Sequence, residues 1–244
     1  TVQGVPLSLS LARPAERRSV LELAAGARVE TPEHLLAALA GLGIAAADIE
    51  VDGGELPALD GSALPFVEGL LEASEALDEA PRRFVVVDSF ELTRARDGAR
   101  CALRPRDGDA LIIDCAIAFD HAAIGAQRRR FVLDDGARFA SEIAPARTFG
   151  LLADAEALRA RGLARGASHD NTLVFDDEGP MSAPRFADEP VRHKILDVIG
   201  DCALLGAPLC GEVEVVRGGH ALLCEVLRAA LARGAVTSLS SHPG

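Results

Sequence analysis

His193, Asp197 and Asp201 recur every four residues in the run Arg192-His193-Lys194-Ile195-Leu196-Asp197-Val198-Ile199-Gly200-Asp201, a spacing that stacks all three on one face of a helix. An imidazole and a carboxylate one turn apart can both reach a single divalent ion. Such a helix supplies half of a tetrahedral zinc site and leaves room for a third ligand and a water. The same spacing also arises in i,i+4 surface pairs, so it needs company before it means a site. Glu33-His34 is the second unusual pair. A histidine beside a glutamate can bind metal while the carboxylate takes a proton from the water that the metal activates. Glu33 would equally favour the positive end of a helix dipole with no chemistry involved. His220 follows Gly218 and Gly219, where bare backbone approaches a ligand closely and an imidazole can act as acid or base; a histidine capping a helix after a turn is the plain alternative. Arg147-Thr148 offers a cation and a hydroxyl able to polarise a carbonyl, with Phe149 as an apolar platform, although these are also ordinary turn residues. His121, His169 and His242 read as structural.

Composition narrows the chemistry these residues can serve. With 244 residues, 49% of them apolar, the chain suits one large or two ordinary domains with a substantial core. A formal charge of −12 argues against wrapping a polyanion, which needs clustered Lys and Arg, so nucleic acid is excluded as a partner. The absence of Trp and Tyr also disfavours a stacking platform for single strands. Net acidity does not forbid one anionic small ligand, because a local Lys or Arg at a helix start can hold a phosphate inside a negative protein. Cys101, Cys115, Cys202, Cys210 and Cys224 are odd in number, lie in apolar surroundings and form no C-x-x-C pair, so they read as reduced core residues. No run approaches the roughly 20 apolar residues of a membrane span. The N-terminus lacks a signal pattern, and a cytoplasmic location is the default expectation.

The elements that must carry these residues follow from periodicity. The apolar pattern divides near Ala80-Pro81-Arg82-Arg83, giving an expected first domain over 1–80 and a second over 81–244. In the first, Leu7 to Leu11 alternates as a strand does, Ala47 to Val51 reads as another, and Gly53-Gly54 marks a turn. Between them a helix opens with Thr31 as N-cap and Pro32 at the first helical position, closing near Gly41. Asp60-Gly61-Ser62 caps a second helix, Leu64 to Ala76. The second domain has strands at Phe84 to Val87, Glu91 to Thr93, Arg100 to Leu103, Ala110 to Phe119, Arg129 to Leu133 and Glu212 to Val216. Its helices start at Asp188-Glu189-Pro190 and run from His220 to Arg233. A β-α-β unit inserted at about 146–176 combines a helical stretch, Leu152 to Arg161, with a short strand, Thr172 to Phe175. Both halves read as strands plus two helices, which suggests duplication. The expected class is α+β: two similar domains, each a mainly antiparallel sheet with two helices, the helices packed between the sheets.

The order of the motifs adds a further reading. Thr31-Pro32-Glu33-His34-Leu35-Leu36-Ala37-Ala38-Leu39-Ala40-Gly41-Leu42-Gly43-Ile44 and Glu55-Leu56-Pro57-Ala58-Leu59-Asp60-Gly61-Ser62-Ala63-Leu64-Pro65-Phe66-Val67 closely resemble the UDP-3-O-acyl-N-acetylglucosamine deacetylase (LpxC) family. So, in the right order, do Ala146-Arg147-Thr148-Phe149-Gly150, the run from Asp188 to Asp201, and Gly218-Gly219-His220-Ala221-Leu222. The resemblance spans about Leu7 to Leu231, and several long blocks in order are far more specific than one His-x-x-x-Asp.

The resemblance implies a zinc ion held by His34, His193 and Asp197, with Glu33 as general base. It implies that protonated His220, oriented by Asp201, stabilises the oxyanion and helps the amine leave, and that Thr148 hydrogen-bonds the tetrahedral intermediate. Phe149 and Lys194 match contacts to the sugar and nucleotide-diphosphate part. The 146–176 insertion resembles the family's hydrophobic passage for the acyl chain, with Leu151, Leu152, Leu158 and Leu163 as candidate lining. Residue chemistry agrees, since amide hydrolysis needs a nucleophile, an electrophile and protonation of the leaving group. The chain departs from the family's pattern before Thr31, where it is shorter and lacks a Gly-Leu-His-Thr-Gly stretch, and at His169, where relatives usually carry an apolar residue. The expected function is zinc-dependent hydrolysis of the acetamide of UDP-3-O-acyl-N-acetylglucosamine, releasing acetate in lipid A biosynthesis. A deacetylase for another N-acetylated sugar or amide, or a non-catalytic relative that binds acyl-sugar nucleotides, stays open beside it. So do iron or cobalt in place of zinc, which a His/His/Asp site also accepts. The oligomeric state is left open too, with a monomer as the working expectation.

Overall fold

A helix start at residue 33, a helix around residue 193 and a glycine-led helix start at residue 220 must reach one place for any of this chemistry to occur. The computed structural model describes residues 4–15, 18–75, 82–154, 168 and 171–239. Strands β1 (Ala12–Ala15), β2 (Arg18–Glu22) and β3 (Arg28–Glu30) form a small antiparallel sheet. Helices α1 (Glu33–Gly41) and α2 (Leu64–Ala73) follow. Next come β4 (Arg83–Val86), β5 (Phe90–Arg94), β6 (Ala99–Arg104), β7 (Leu111–Ala118), β8 (Ala126–Leu133) and α3 (Gly136–Glu142). A second small sheet, β9 (Phe149–Leu151), β10 (Leu173–Asp176) and β11 (Gly179–Pro180), leads to α4 (Glu189–Ala203), β12 (Leu209–Val216), α5 (His220–Ala232) and β13 (Val236–Leu239).

β12 organises the large sheet. It pairs with β6 on one side and with β4 and then β7 along the other, β13 and β5 close two edges, and β8 extends the sheet beyond β7. Most pairings are antiparallel; β12 runs parallel to β4 and β7, and β10 to β9. The class is therefore α+β. β7 shows why one face of the sheet is dry: Leu111, Ile113, Cys115 and Ile117 are buried, while Asp114 turns outward to pair with Arg128. On the dry side, α4 packs on β7 and β8, and α5 lies between β5 and β6 of the large sheet and β1 and β2 of the small one. Among the described residues no helix is long and apolar enough to cross a membrane.

One close approach sets the site. α1 crosses α4 where α4 has glycine: a methyl group on Gly200 would stand 2.2 Å from the Glu33 carbonyl oxygen. A side chain there would push the start of α1 away, so Gly200 brings Glu33 and His34 against the face of α4 that carries His193.

Several local expectations are corrected. Leu7 to Leu11 is not a strand: Leu9 is buried, but the Leu11 N–H turns back to the Ser8 carbonyl and regular pairing begins only at Ala12. Ala47 to Val51 forms no strand either, because no sheet edge meets this largely exposed stretch. Thr31 is not a side-chain cap; it has φ 54°, and its hydroxyl donates to the Glu30 carbonyl at 2.8 Å. α2 stops at Ala73, short of Ala76, after Ser62 Oγ has accepted the Leu64 N–H at 3.2 Å. β2, β3, α3, β11 and β13 have no counterpart among the elements expected from periodicity. Residues 155–167, which include Leu158 and Leu163, lie outside the described residues, as do His169 and His242.

Candidate active site

α4 is buried from Ile195 through Cys202, and it still carries three polar side chains on one stripe. Burying such groups costs free energy unless each has a partner, so their partners are informative. His193 Nδ1 meets the Ala146 carbonyl oxygen at 3.0 Å. A donor to a carbonyl must carry the proton, so Nδ1 is protonated and Nε2 is left as the free nitrogen. Asp197 accepts from Lys194 Nζ at 2.6 Å and stands 3.5 Å from His193 Nε2. Asp201 accepts from His220 Nδ1 at 2.7 Å and from the Ser19 hydroxyl at 3.0 Å.

The start of α1 adds the rest. The His34 ring lies edge-on to that of His193, centroids 5.1 Å apart, and ligand atoms of His34, His193 and Asp197 all fall within 4.8 Å of one another. Burial, then the neighbouring His193, pushes His34 down to about 3, and burial also lowers His193. Both imidazoles are thus neutral, as metal ligands must be. Burial opposes the charge on Asp197, yet Lys194 and the three histidines hold its carboxyl well below the usual range. Two neutral imidazoles and one carboxylate, deprotonated and convergent, are a donor set that fits one divalent metal ion.

Glu33 is buried and its Oε2 has no hydrogen-bond partner among the described residues. Burial, reinforced by the Asp197 charge and opposed by His220, raises it to about 7. Burial disfavours charge on His220 as well, but the Asp201 and Asp197 carboxylates outweigh it and raise this imidazole to about 9. Adjacent groups with displaced pKa values, one poised to take a proton and the other holding one, are what acid–base chemistry at neutral pH requires.

These residues line one cavity of about 520 Å³, together with Thr148, Phe149, Leu151, Lys194, Arg94 and Arg217. Thr148 is held there by its N–H to the Gly61 carbonyl and by its own carbonyl, which accepts from Leu173 N–H. The Phe149 ring packs edge-on to Phe119 and His193. Of the residues singled out by sequence, Glu33, His34, Thr148, Phe149, Leu151, His193, Lys194, Asp197 and His220 meet in this cavity, with Asp201 directly behind His220. Leu163 lies outside the described residues. Arg147 does not join them. Its backbone N–H and guanidinium donate to the buried Glu189 and Nη2 donates to the Ala183 carbonyl, so it cannot polarise a substrate. His121 bonds the Asp176 carbonyl through Nε2, a structural contact. Ser19 escaped the sequence reading because its contact with Asp201 spans 182 residues and belongs to no motif.

A family model for UDP-3-O-acyl N-acetylglycosamine deacetylase matches residues 2–232. The UDP-3-O-acyl-N-acetylglucosamine deacetylase of Anaeromyxobacter sp. (strain Fw109-5) is 46% identical over 209 residues, covering 84% of this chain and 67% of that protein. The protein of that name from Phenylobacterium zucineum (strain HLK1) is 45% identical over 218 residues, 88% and 73% of the two chains. The one from Pasteurella multocida (strain Pm70) is 44% identical over 211 residues, 85% and 68%.

Proposed function

Because the chain belongs to the UDP-3-O-acyl N-acetylglycosamine deacetylase family, we propose that it hydrolyses the acetamide of UDP-3-O-acyl-N-acetylglucosamine to the free amine and acetate, a step of lipid A biosynthesis carried out in the cytoplasm. What supports the reading most is the meeting of one proton acceptor, one proton donor and three convergent metal ligands, drawn from α1, α4 and α5, in a single cavity. We take the metal to be zinc, held by His34, His193 and Asp197; bound there, it would supply a Lewis acid that lowers the pKa of water and polarises the amide carbonyl.

The protein's own groups divide the remaining work. Glu33, buried and with no partner for its Oε2 among the described residues, takes the proton of the attacking water. Protonated His220 faces the developing oxyanion, then gives its proton to the nitrogen as the C–N bond breaks, because an amine leaves far more easily than an amide anion. Asp201 fixes Nδ1 of His220 as a donor, so the mobile proton is the one on Nε2. Thr148 supplies a hydroxyl to the tetrahedral carbon's oxygen, Phe149 gives the sugar an apolar platform, and Leu151 gives apolar lining for the acyl chain. Lys194, Arg94 and Arg217 line the same cavity and would give the diphosphate its cationic partners.

Purified protein assayed for bound metal and for acetate release from UDP-3-O-acyl-N-acetylglucosamine tests the proposal. We expect one zinc per chain and metal-dependent acetate release, with His193→Ala losing the metal. Folded, zinc-loaded protein that releases no acetate would overturn the function, and full metal retention in His193→Ala would overturn the ligand set.

A further inference from the structure

Asp201 does more than face an imidazole. His220 occupies its Oδ2 at 2.7 Å, and the hydroxyl of Ser19, a residue 1% exposed on β2, occupies its Oδ1 at 3.0 Å. The carboxylate is itself buried, so each oxygen must find a donor inside the protein or bear the cost of desolvation. With a donor on each, rotation of the carboxylate is fixed and so is the plane of the imidazole it holds. The backbone of Ser19 is tied in the other direction. Its carbonyl accepts from the Thr31 N–H at 3.1 Å, just ahead of Glu33. One strand residue thus touches both the chain entering the helix of the proton acceptor and the carboxylate behind the proton donor.

We infer that Ser19 is a positioning residue of this site, whose hydroxyl sets the Asp201 carboxylate so that His220 keeps its proton on Nδ1 and turns Nε2 to the cavity. The inference rests on the assignment of His220 as proton donor. A hydroxyl suits the place, because an ionised carboxylate accepts only and needs a donor, while a cationic donor would drain the negative charge that stabilises the imidazolium. The competing account is that the Ser19–Asp201 bond merely pins β2 to α4.

Zinc-loaded Ser19→Ala and Ser19→Thr separate the two accounts. Partners that orient the ligands of a metal site are worth about 10-fold to 100-fold in activity, and by the same logic for a partner that orients the proton donor we expect Ser19→Ala to lose kcat in that range with KM and metal content nearly unchanged. Ser19→Thr keeps the donor and suits a strand, so it should restore most of kcat. In an Asp201→Ala background, Ser19→Ala should cost little more, because both act through one imidazole. The His220 Nδ1 proton resonance should move in Ser19→Ala and return in Ser19→Thr. Wild-type kcat in Ser19→Ala, or a loss that Ser19→Thr does not restore, would overturn the inference, as would an unmoved Nδ1 resonance. Were the wild type to release no acetate, the proposed function would fail by itself, and the resonance would still decide the role of Ser19.

Discussion

Glu33 and Glu189 are both buried carboxylates, and their surroundings put them in opposite states. Glu33 has an oxygen with no partner among the described residues and a pKa raised by burial to about 7. Glu189, where burial also opposes charge, is held below the ordinary glutamate value by the Arg147 guanidinium and the backbone N–H groups of Arg147 and Arg185. The first is arranged for proton transfer and the second for structure. Glu33→Gln keeps the shape but cannot take a proton, so kcat should fall by about 100-fold or more, the usual share of a general base. Metal content should stay at the wild-type level, and turnover near wild type would remove Glu33 from the role. Glu189→Gln should leave the metal in place and lower stability at pH 7. Since a depressed folded pKa contributes stability above the unfolded value that is lost as pH falls, the wild type's advantage should shrink below about pH 4.5. Melting curves of the two proteins from pH 7 to pH 3 measure that gap, and a constant gap would mean that Glu189 is not ionised in the folded state. At this scale much of the site was legible: Glu33-His34, His193, Asp197 and His220 are chemistry-bearing types at short spacings. Ser19 and the true partner of Arg147 were not, because only tertiary packing sets them.

At the scale of elements, the active geometry depends on how near α1 comes to α4. Gly200 permits that approach, with no room for a methyl group against the Glu33 carbonyl. Gly200→Ala should therefore act at a distance from its own position: it pushes the start of α1 outward and pulls His34 away from His193 and Asp197. Overpacking of this kind costs about 1–3 kcal/mol of stability, and the sharper signature is weaker metal binding. Titration with zinc should show lower affinity in Gly200→Ala with α4's own ligands untouched; affinity equal to wild type would mean that α1 tolerates the shift. Elements buried on one face announced themselves in sequence, as in the alternation of β7 and the apolar run of α4. Leu7 to Leu11 alternates just as well and fails as a strand, since periodicity records burial and cannot supply a partner for the backbone. The short β13 pairs with β4 through residues remote in sequence, a long-range choice that local pattern leaves open.

Over the whole molecule, the candidate metal ligands belong to parts that must be brought together. His34 stands on α1, which follows directly from the small sheet, whereas His193 and Asp197 stand on α4, which packs on the large sheet. Asp197 is held by Lys194 and stands 3.8 Å from Nε2 of the protonated His220, so the folded chain already contains a compensated carboxylate. An ion bound by all three ligands adds a cross-connection between α1 and α4 that the unfolded chain lacks, and its binding free energy appears as folding free energy. Zinc at 100 times its Kd should add about 2.7 kcal/mol, and for a chain of this size each kcal/mol moves Tm by about 2–4 °C. Chelator-treated protein should melt lower by the corresponding amount and recover on zinc addition. His34→Ala should respond to zinc far less, because it leaves both remaining ligands on α4 and removes the connection. The amides of α1 should lose more protection from hydrogen exchange than those of β7 when metal is removed, since β7 is paired on both sides by β12 and β8. Equal loss in both elements would mean that the ion stabilises the fold generally and does not bridge α1 to α4, and an unchanged Tm would mean that these three residues hold no metal.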